Sequence, residues 1–376
     1  MTWHRFPATS DRVLFAKGGR LGQSHGMTTL SELFQLSGPF ASVLVRTPSS
    51  VSDAAHQLEI RWKNARRDLE AGGASEPLLA EFDSLAARVE HGNSTGGVAA
   101  ILSKGADPYI EFLGADPQRN EARLGVVPTL TPIIASRQAA LPLVVAFVDR
   151  TGADLAAVTA GAIDDYVIVE GETTYIHRGQ QGGWSQRRYQ QRAENRWESN
   201  ANESADALAA LAHRVRARLV CVSGDVRAVG FLTDHLPADL KPITVVLQEG
   251  DSEAVWSAAD RAIADVVRRE SDALVQALND RLPHRTATTN QSDTLRALGE
   301  GRVQTLLVHD DGSDQLEAWC GPGTDPASSL HQSREDFVRG RLVDVAVRSA
   351  LLTGAGVRVV ASTPSAEGPV AALLRW

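Results

Sequence analysis

Leu143-Val144-Val145-Ala146-Phe147-Val148-Asp149-Arg150-Thr151-Gly152 decides how the middle of this chain folds. Its six-residue apolar run is short and rich in valine, as expected of a strand buried on both faces. Asp-Arg-Thr-Gly is turn chemistry, so Asp154–Thr159 is expected to return as a hairpin partner. Working outward, Ala162–Glu170 and Thr173–Ile176 extend the sheet. Leu219–Val222 and Ile243–Leu247 are further strands. Three helices alternate with them: one ending near Arg216, one over Val226–Leu236 and one from Glu253 to about Leu282. This alternation implies a layered, largely parallel sheet.

On the N-terminal side, Met27–Leu33 reads as a short helix with Thr28 or Thr29 as its N-cap. Phe40–Val45 is a strand. Ala54–Leu69 is a helix by the spacing of Ala55, Leu58, Trp62, Ala65 and Leu69, and Pro77–Val89 is another. Gly97–Leu102 and Tyr109–Leu113 are short strands, and Pro128, Pro132 and Pro142 mark the passage out of this region. On the C-terminal side, Pro283–Ser292 is a polar linker. A helix (Asp293–Leu298), two strands (Val303–Val308 and Gln315–Trp319), a loop (Gly321–Ser333), a helix (Asp336–Leu352) and two closing strands (Val357–Ala361 and the segment from Val370) follow. The resulting expectation is a multidomain α/β (α+β) protein. Residues 27–138, 139–284 and 285–376 form its three layered domains, and the glycine- and arginine-rich residues 1–26 form a disordered extension or lie upstream of a start at Met27.

Composition narrows the function classes. The 376 residues are 43% hydrophobic and 22% charged with a net charge of −8, ordinary for a soluble, cytoplasmic protein. Cys221 and Cys320 sit in apolar runs and read as buried free thiols rather than a disulfide framework. No apolar run approaches the roughly 18 residues of a membrane span. There is no phosphate-binding Gly-x-x-x-x-Gly-Lys motif and no zinc-ligand spacing, so neither a cofactor nor a metal is expected.

One window runs against the acidic whole. Between Arg178 and Glu198 stand Arg178, Arg187, Arg188, Arg192 and Arg196 against Glu194 and Glu198. Gly179-Gln180-Gln181-Gly182-Gly183 opens there into a helix whose inward stripe is Tyr189, Ala193, Trp197, Ala201, Ala205, Leu208, Leu211 and Val215. Arg188, Arg192 and Arg196 share another face, as RNA-phosphate ligands do. A solvated face balanced by the two glutamates is the competing reading. Trp184 would either stack on a base or anchor the loop. Asp149, Asp154, Asp164 and Asp165 near strand ends raise a two-metal nuclease as an alternative, although Asp149 and Asp154 also suit a turn. Ser223-Gly224-Asp225 fits either an anion site or a helix N-cap.

Four stretches carry a resemblance: Gly38-Pro39-Phe40-Ala41-Ser42-Val43, Val145–Asp154, Val222-Ser223-Gly224-Asp225-Val226-Arg227, and the ending Gly368–Trp376. In this order and spacing the chain resembles the archaeo-eukaryotic class-1 release factor and Pelota superfamily. More narrowly, it resembles the bacterial offshoot that includes mycobacterial proteins and the ribosome hibernation factor Balon. The resemblance implies a ribonuclease-H-like middle domain and a C-terminal α/β/α sandwich. It also implies a ribosome-binding factor in the A site, contacting rRNA near the peptidyl-transferase centre, with a stress or hibernation role and elongation factor Tu as a further partner. The N-terminal domain would face the decoding region, yet it has no stop-codon motif of the Asn-Ile-Lys-Ser type.

The family's Gly-Gly-Gln loop is matched by Gly182, Gly183 and Ser185, and Arg188-Tyr189 resembles the Arg-Phe that begins its helix. Trp184 stands where the family has its catalytic glutamine. An indole offers one N–H donor and no carboxamide acceptor to order a water at the ester. The expectation is therefore RNA binding by Gly182, Gly183, Trp184, Ser185, Arg187, Arg188, Arg192 and Arg196 without peptide release of the usual kind. A peptidyl-tRNA hydrolase or rescue factor using Gln181 or Gln186 is the first alternative, and the nuclease the second.

Overall fold

The computed structural model describes residues 30–47, 54–90, 96–113, 117, 119–159, 162–170, 183–248, 252–362, 364 and 367–376, without the side chains of residues 54, 90, 162, 183–197 and 252. The expected N-terminal extension and the expected strand at Thr173–Ile176 lie outside these residues. The chain divides into two compact units, Ala140–Val266 and Leu21–Ala139 with Val267–Trp376. It is a multidomain mixed α/β protein.

The N-terminal elements are a 3-10 helix (Leu30–Gln35), β1 (Phe40–Thr47), α1 (Ala54–Ala71), α2 (Glu76–Glu90), β2 (Gly96–Ser103), β3 (Tyr109–Leu113), β4 (Glu121–Gly125) and α3 (Thr131–Ala139). The four strands pair antiparallel in the order β3-β2-β1-β4. Trp62, Ala65 and Leu69 of α1, with Leu78, Phe82 and Leu85 of α2, cover Val43, Val45, Val98 and Ala100 on one face. Two elements here were not expected. Glu121-Ala122-Arg123-Leu124-Gly125 carries two charged residues in five, but as an edge strand it needs only one partner, β1. Pro132 reads as a breaker, yet it sits in the first turn of α3, where its missing N–H costs nothing. The short helix expected at Met27–Leu33 occurs as the 3-10 turn at Leu30–Gln35.

The middle unit holds β5 (Leu143–Asp149), β6 (Gly152–Thr159), β7 (Ala162–Glu170), α4 (Gly183–Val215), β8 (Leu219–Gly224), α5 (Val226–His235), β9 (Thr244–Val246) and the start of α6 (Ser252–Arg281). Its sheet runs β7-β6-β5-β8-β9. The first three strands form an antiparallel meander, and β8 and β9 join parallel to β5. This is the strand order of a ribonuclease-H-like sheet. Val144, Ala146 and Val148 face Ala205, Leu208 and Leu211 of α4 and Val229 and Leu232 of α5. Leu143 and Val145 face Val255, Trp256 and Ala259 of α6. Burial on both sides is why β5 reads as an unbroken apolar run.

The last stretch holds a 3-10 turn (Leu282–His284), β10 (Ala287–Thr288), α7 (Gln291–Gly299), β11 (Val303–Val308), β12 (Glu317–Cys320), β13 (Ser328–Ser329), β14 (Val338–Arg341), α8 (Leu342–Leu352), β15 (Gly356–Val359) and β16 (Val370–Leu374). A four-stranded sheet, β10-β16-β11-β15, lies between α7 and α8 on one face and Leu278 of α6 on the other, giving an α/β/α sandwich. Two corrections fall here. The expected linker at Pro283–Ser292 contains β10, which pairs with Ala372 and Leu373. The expected helix from Asp336 begins only at Leu342, because Val338–Arg341 pairs with β12 and Gly340 leaves room for Val126 beside it.

The apolar core of this sandwich runs on without interruption into Phe40, Leu44, Ala99, Ile101, Leu130 and Ile133 of the N-terminal elements. A buried ionic cluster crosses the same seam. The Arg341 guanidinium donates to both oxygens of Asp310, at 2.7 and 2.8 Å, and to both oxygens of Asp344, at 3.0 and 2.8 Å. The Thr129 hydroxyl donates to Asp344 at 3.1 Å, and the Thr131 hydroxyl donates to Asp310. Burial alone would raise the Asp310 carboxyl, but Arg341 outweighs it and holds the group well below the usual carboxylate range. Asp344, fully enclosed, is pushed upward by desolvation against the pull of Arg341.

Candidate functional site

The cationic window falls on α4. From Ala201 to Ala212 the helix presents Ala201, Ser204, Ala205, Leu208, Leu211 and Ala212 to the protein interior. That is the spacing of three and four expected from the sequence. The chain leaves the helix through Arg216 in a left-handed conformation (φ 52°), with the Ala217 amide donating back to Ala212 at 2.8 Å. Strand β8 begins directly after, at Leu219. Helix α4 therefore runs from the carboxyl edge of the β5-β8-β9 strands to their amino edge.

Asn200 marks where it crosses the carboxyl edge. Its Nδ2 donates to the backbone oxygen of Arg150 at 3.1 Å, in the turn between β5 and β6. Residues 183–199 continue the helix beyond this point, a run of about 25 Å at 1.5 Å per residue. Gly183 is its first residue, so the positive end of the helix dipole lies at the far tip.

At 100° per residue, positions 188, 192 and 196 fall opposite the phase of the buried stripe, while position 187 falls close to it. The same outward face, followed back along the sheet, reaches the exposed Glu203 and Asp206. Its sign thus changes from positive to negative where the helix meets the sheet. Of the residues singled out in the sequence, Gly183, Trp184, Ser185, Gln186, Arg187, Arg188, Arg192 and Arg196 all belong to the backbone of α4. Gln181 and Gly182 lie outside the described residues.

Of the other sequence candidates, Asp164 is exposed on β7, and several of the rest are tied into the fold. Asp149 Oδ1 accepts from the Thr151 amide at 2.6 Å and from its hydroxyl at 2.5 Å, as a turn aspartate does. Asp165 pairs with Arg214, and Asp154 is buried on β6. Among the described residues, no group of three or more His, Cys, Asp or Glu is placed to hold a metal ion. Asp225 is the N-cap of α5, its Oδ1 accepting from the Arg227 and Ala228 amides at 3.1 and 3.2 Å. Its Oδ2 lies 3.1 Å from the Arg150 guanidinium. Burial would raise the Asp225 carboxyl, but the Ala228 amide and Arg150 together hold it below its ordinary value. Gly224 has φ 136°, and a Cβ there would lie 1.8 Å from the Val148 oxygen, so only glycine brings β8 this close to β5. Cys221 and Cys320 are buried free thiols, and burial pushes Cys221 up to about 12.

Only one cue in the residue pattern pointed to the Arg150 junction. Asn200 is a polar residue at the border of a stripe otherwise made of alanine, serine and leucine.

Residues 142–287, the stretch that contains this sheet and helix, match the model of bacterial archaeo-eukaryotic release factor family 2. The uncharacterized protein Rv2629 of Mycobacterium tuberculosis is 28% identical over 286 residues, covering 72% of this chain and 75% of the relative. Among solved structures, the Pelota protein of Archaeoglobus fulgidus is similar at 11% identity and a TM-score of 0.37, covering 93% of this chain and 92% of that one. An archaeal translation termination factor, aRF1, is similar at 17% identity and a TM-score of 0.23, with 92% and 96% covered. The resemblance to the bacterial archaeo-eukaryotic release factor-like family, read from the sequence, holds. Among the described residues, no helix is long and apolar enough to cross a membrane.

Proposed function

We propose that this protein is a ribosome-binding translation factor that occupies the A site during hibernation or stress, with the tip of α4 directed at rRNA near the peptidyl-transferase centre. The observation that carries this reading is the projecting half of α4. It holds Arg188, Arg192 and Arg196 in one helical phase, beyond a sheet that matches a release-factor family. Polyanion binding by such a surface is driven by phosphate neutralisation and counterion release. Trp184 in place of the family's glutamine supports occupancy without peptide release, since the indole lacks the acceptor that would help to order a water.

Co-sedimentation with ribosomes from growing and starved cells tests the class. Presence in the ribosomal fraction is the expected result, and absence from both preparations sinks it. Arg188→Ala with Arg192→Ala is expected to weaken binding and to lower the salt slope by about 1.5, from about 0.7 to 0.9 per phosphate contact. An unchanged slope would return these arginines to a solvated face. Release of labelled peptide from stalled ribosomes, lost on Gln186→Ala, would instead favour a hydrolase.

A further inference from the structure

We infer that Arg150, Asn200 and Asp225 form a clamp that sets the direction in which the projecting half of α4 leaves the sheet, which makes Arg150 and Asn200 positioning residues for the RNA-binding tip. The inference rests on the reading of α4 given above, but the geometry stands on its own.

Three elements meet at one residue. The Arg150 carbonyl accepts from Asn200 Nδ2 of α4 at 3.1 Å. The Arg150 guanidinium donates to Asp225 Oδ2 through Nε at 3.2 Å, and its second nitrogen lies 3.1 Å from the same oxygen. Asp225 in turn caps α5 and donates its own amide to the Val148 oxygen at 2.9 Å, which ties the cap to the end of β5. The Asp149–Thr151 turn holds the Arg150 backbone in place from the other side.

The position of this junction along the helix gives it its effect. C-terminal to Asn200, α4 is fastened by a continuous buried stripe. N-terminal to it, the helix backbone runs on for about 25 Å past the turn that carries Arg150, so angular play at Asn200 is amplified at the tip. A swing of about 10° at the pivot moves the tip by about 4 Å, enough to separate a guanidinium from its phosphate. Asn200 is itself buried, with 6% exposure, so its amide is a desolvated donor whose one recorded partner is that carbonyl. Hydrogen bonds of this kind are costly to break on one side only.

Spin labels at Gln190→Cys on the projecting half and Asp234→Cys on α5 report the direction of the helix. The native thiols, Cys221 and Cys320, are buried and out of reach of the label. The expected result of Asn200→Ala is a clearly broadened label distance distribution, a modestly lowered melting temperature, and about a tenfold loss of affinity for purified ribosomes, or ~1.4 kcal/mol. Asn200→Asp, which cannot donate, should behave in the same way. An unchanged distance distribution in Asn200→Ala overturns the clamp. If Asn200→Ala proves unstable, Arg150→Met, which removes only the tie to Asp225, is read on the same label pair and must broaden it. Failure of the unsubstituted protein to bind ribosomes would defeat the proposed function while leaving the distance measurement to judge the clamp.

Discussion

Replacing Arg341 with methionine removes the side chain that pairs with both Asp310 and Asp344 in the buried seam of the larger unit. Four charge-assisted hydrogen bonds between 2.7 and 3.0 Å are lost at once. The side chains of Asp310 and Asp344 are 1% and 4% exposed, so neither carboxylate can turn to water in exchange. Breaking a buried pair by removing one partner costs about 3–5 kcal/mol, most of it the penalty of the stranded charge. Arg119 stays near Asp310 at 3.4 Å and softens the loss on that side. Among the described residues, Asp344 keeps the Thr129 hydroxyl. We therefore expect a loss of about 4 kcal/mol at neutral pH, read by urea unfolding with a tertiary probe. Replacing all three charged residues with apolar ones of similar volume should recover much of it.

The pH dependence sharpens the test. In the native cluster Asp310 is held low, so it contributes stability above the ordinary aspartate value of about 3.9, lost as the pH falls through its depressed folded value. Asp344 is raised, so its contribution is present below about 3.9 and is lost as the pH rises through its folded value. Without Arg341 both carboxyls move upward and bind protons more readily in the folded state. The deficit of the variant must then shrink on going from neutral pH toward pH 4. A loss under about 1 kcal/mol at neutral pH, or a deficit that grows in acid, would refute the reasoning.

Three further substitutions probe the packing around the sites. The hydroxyls of Thr294 on α7 and Ser349 on α8 are buried without a hydrogen-bond partner among the described residues, so Thr294→Val and Ser349→Ala should each be neutral or stabilise by up to about 1 kcal/mol, visible as an unchanged or higher melting temperature. Arg216 ends α4 at φ 52°, where a side chain is strained, so Arg216→Gly should stabilise the middle unit by roughly 0.5–1 kcal/mol in the same assay.

What could be read in advance follows from how locally each signal is encoded. Strand β5 and its hairpin were legible because burial on both faces and the Asp-Arg-Thr-Gly turn are written in adjacent residues. The sheet-backed half of α4 was legible because its stripe repeats over four turns. Strands β4, β10 and β14 were not, because each owes its conformation to a partner distant in sequence. Val338–Arg341 extends only because it pairs with Glu317–Cys320, and the Thr288 strand only because Ala372 and Leu373 lie beside it. The seam cluster was invisible for the same reason. Asp310, Arg341 and Thr131 look like turn and cap residues until the fold brings them together. The junction at Arg150 shows both cases in one residue: its turn was evident, and its two long-range partners were not.

The charge pattern of α4 makes sense only once that junction is placed. On sequence alone, five arginines against two glutamates left RNA contact and a solvated face in competition. Asn200 now divides the helix into a fastened part and a projecting part. The outward face of the fastened part carries Glu203 and Asp206 next to the sheet edge, with Arg214 paired to Asp165 at its far end, and that of the projecting part carries positions 188, 192 and 196. A face that only needed solubility would gain nothing from separating the two signs at the sheet edge, since mixed charges solvate a helix equally well. A face built to meet a polyanion gains twice. The positive charge sits at the dipole's own positive end, and acidic residues on a chain of net charge −8 keep the polyanion from spreading over the sheet. Separation of charge at a mechanical pivot therefore favours the contact reading of the arginines over the solvated one.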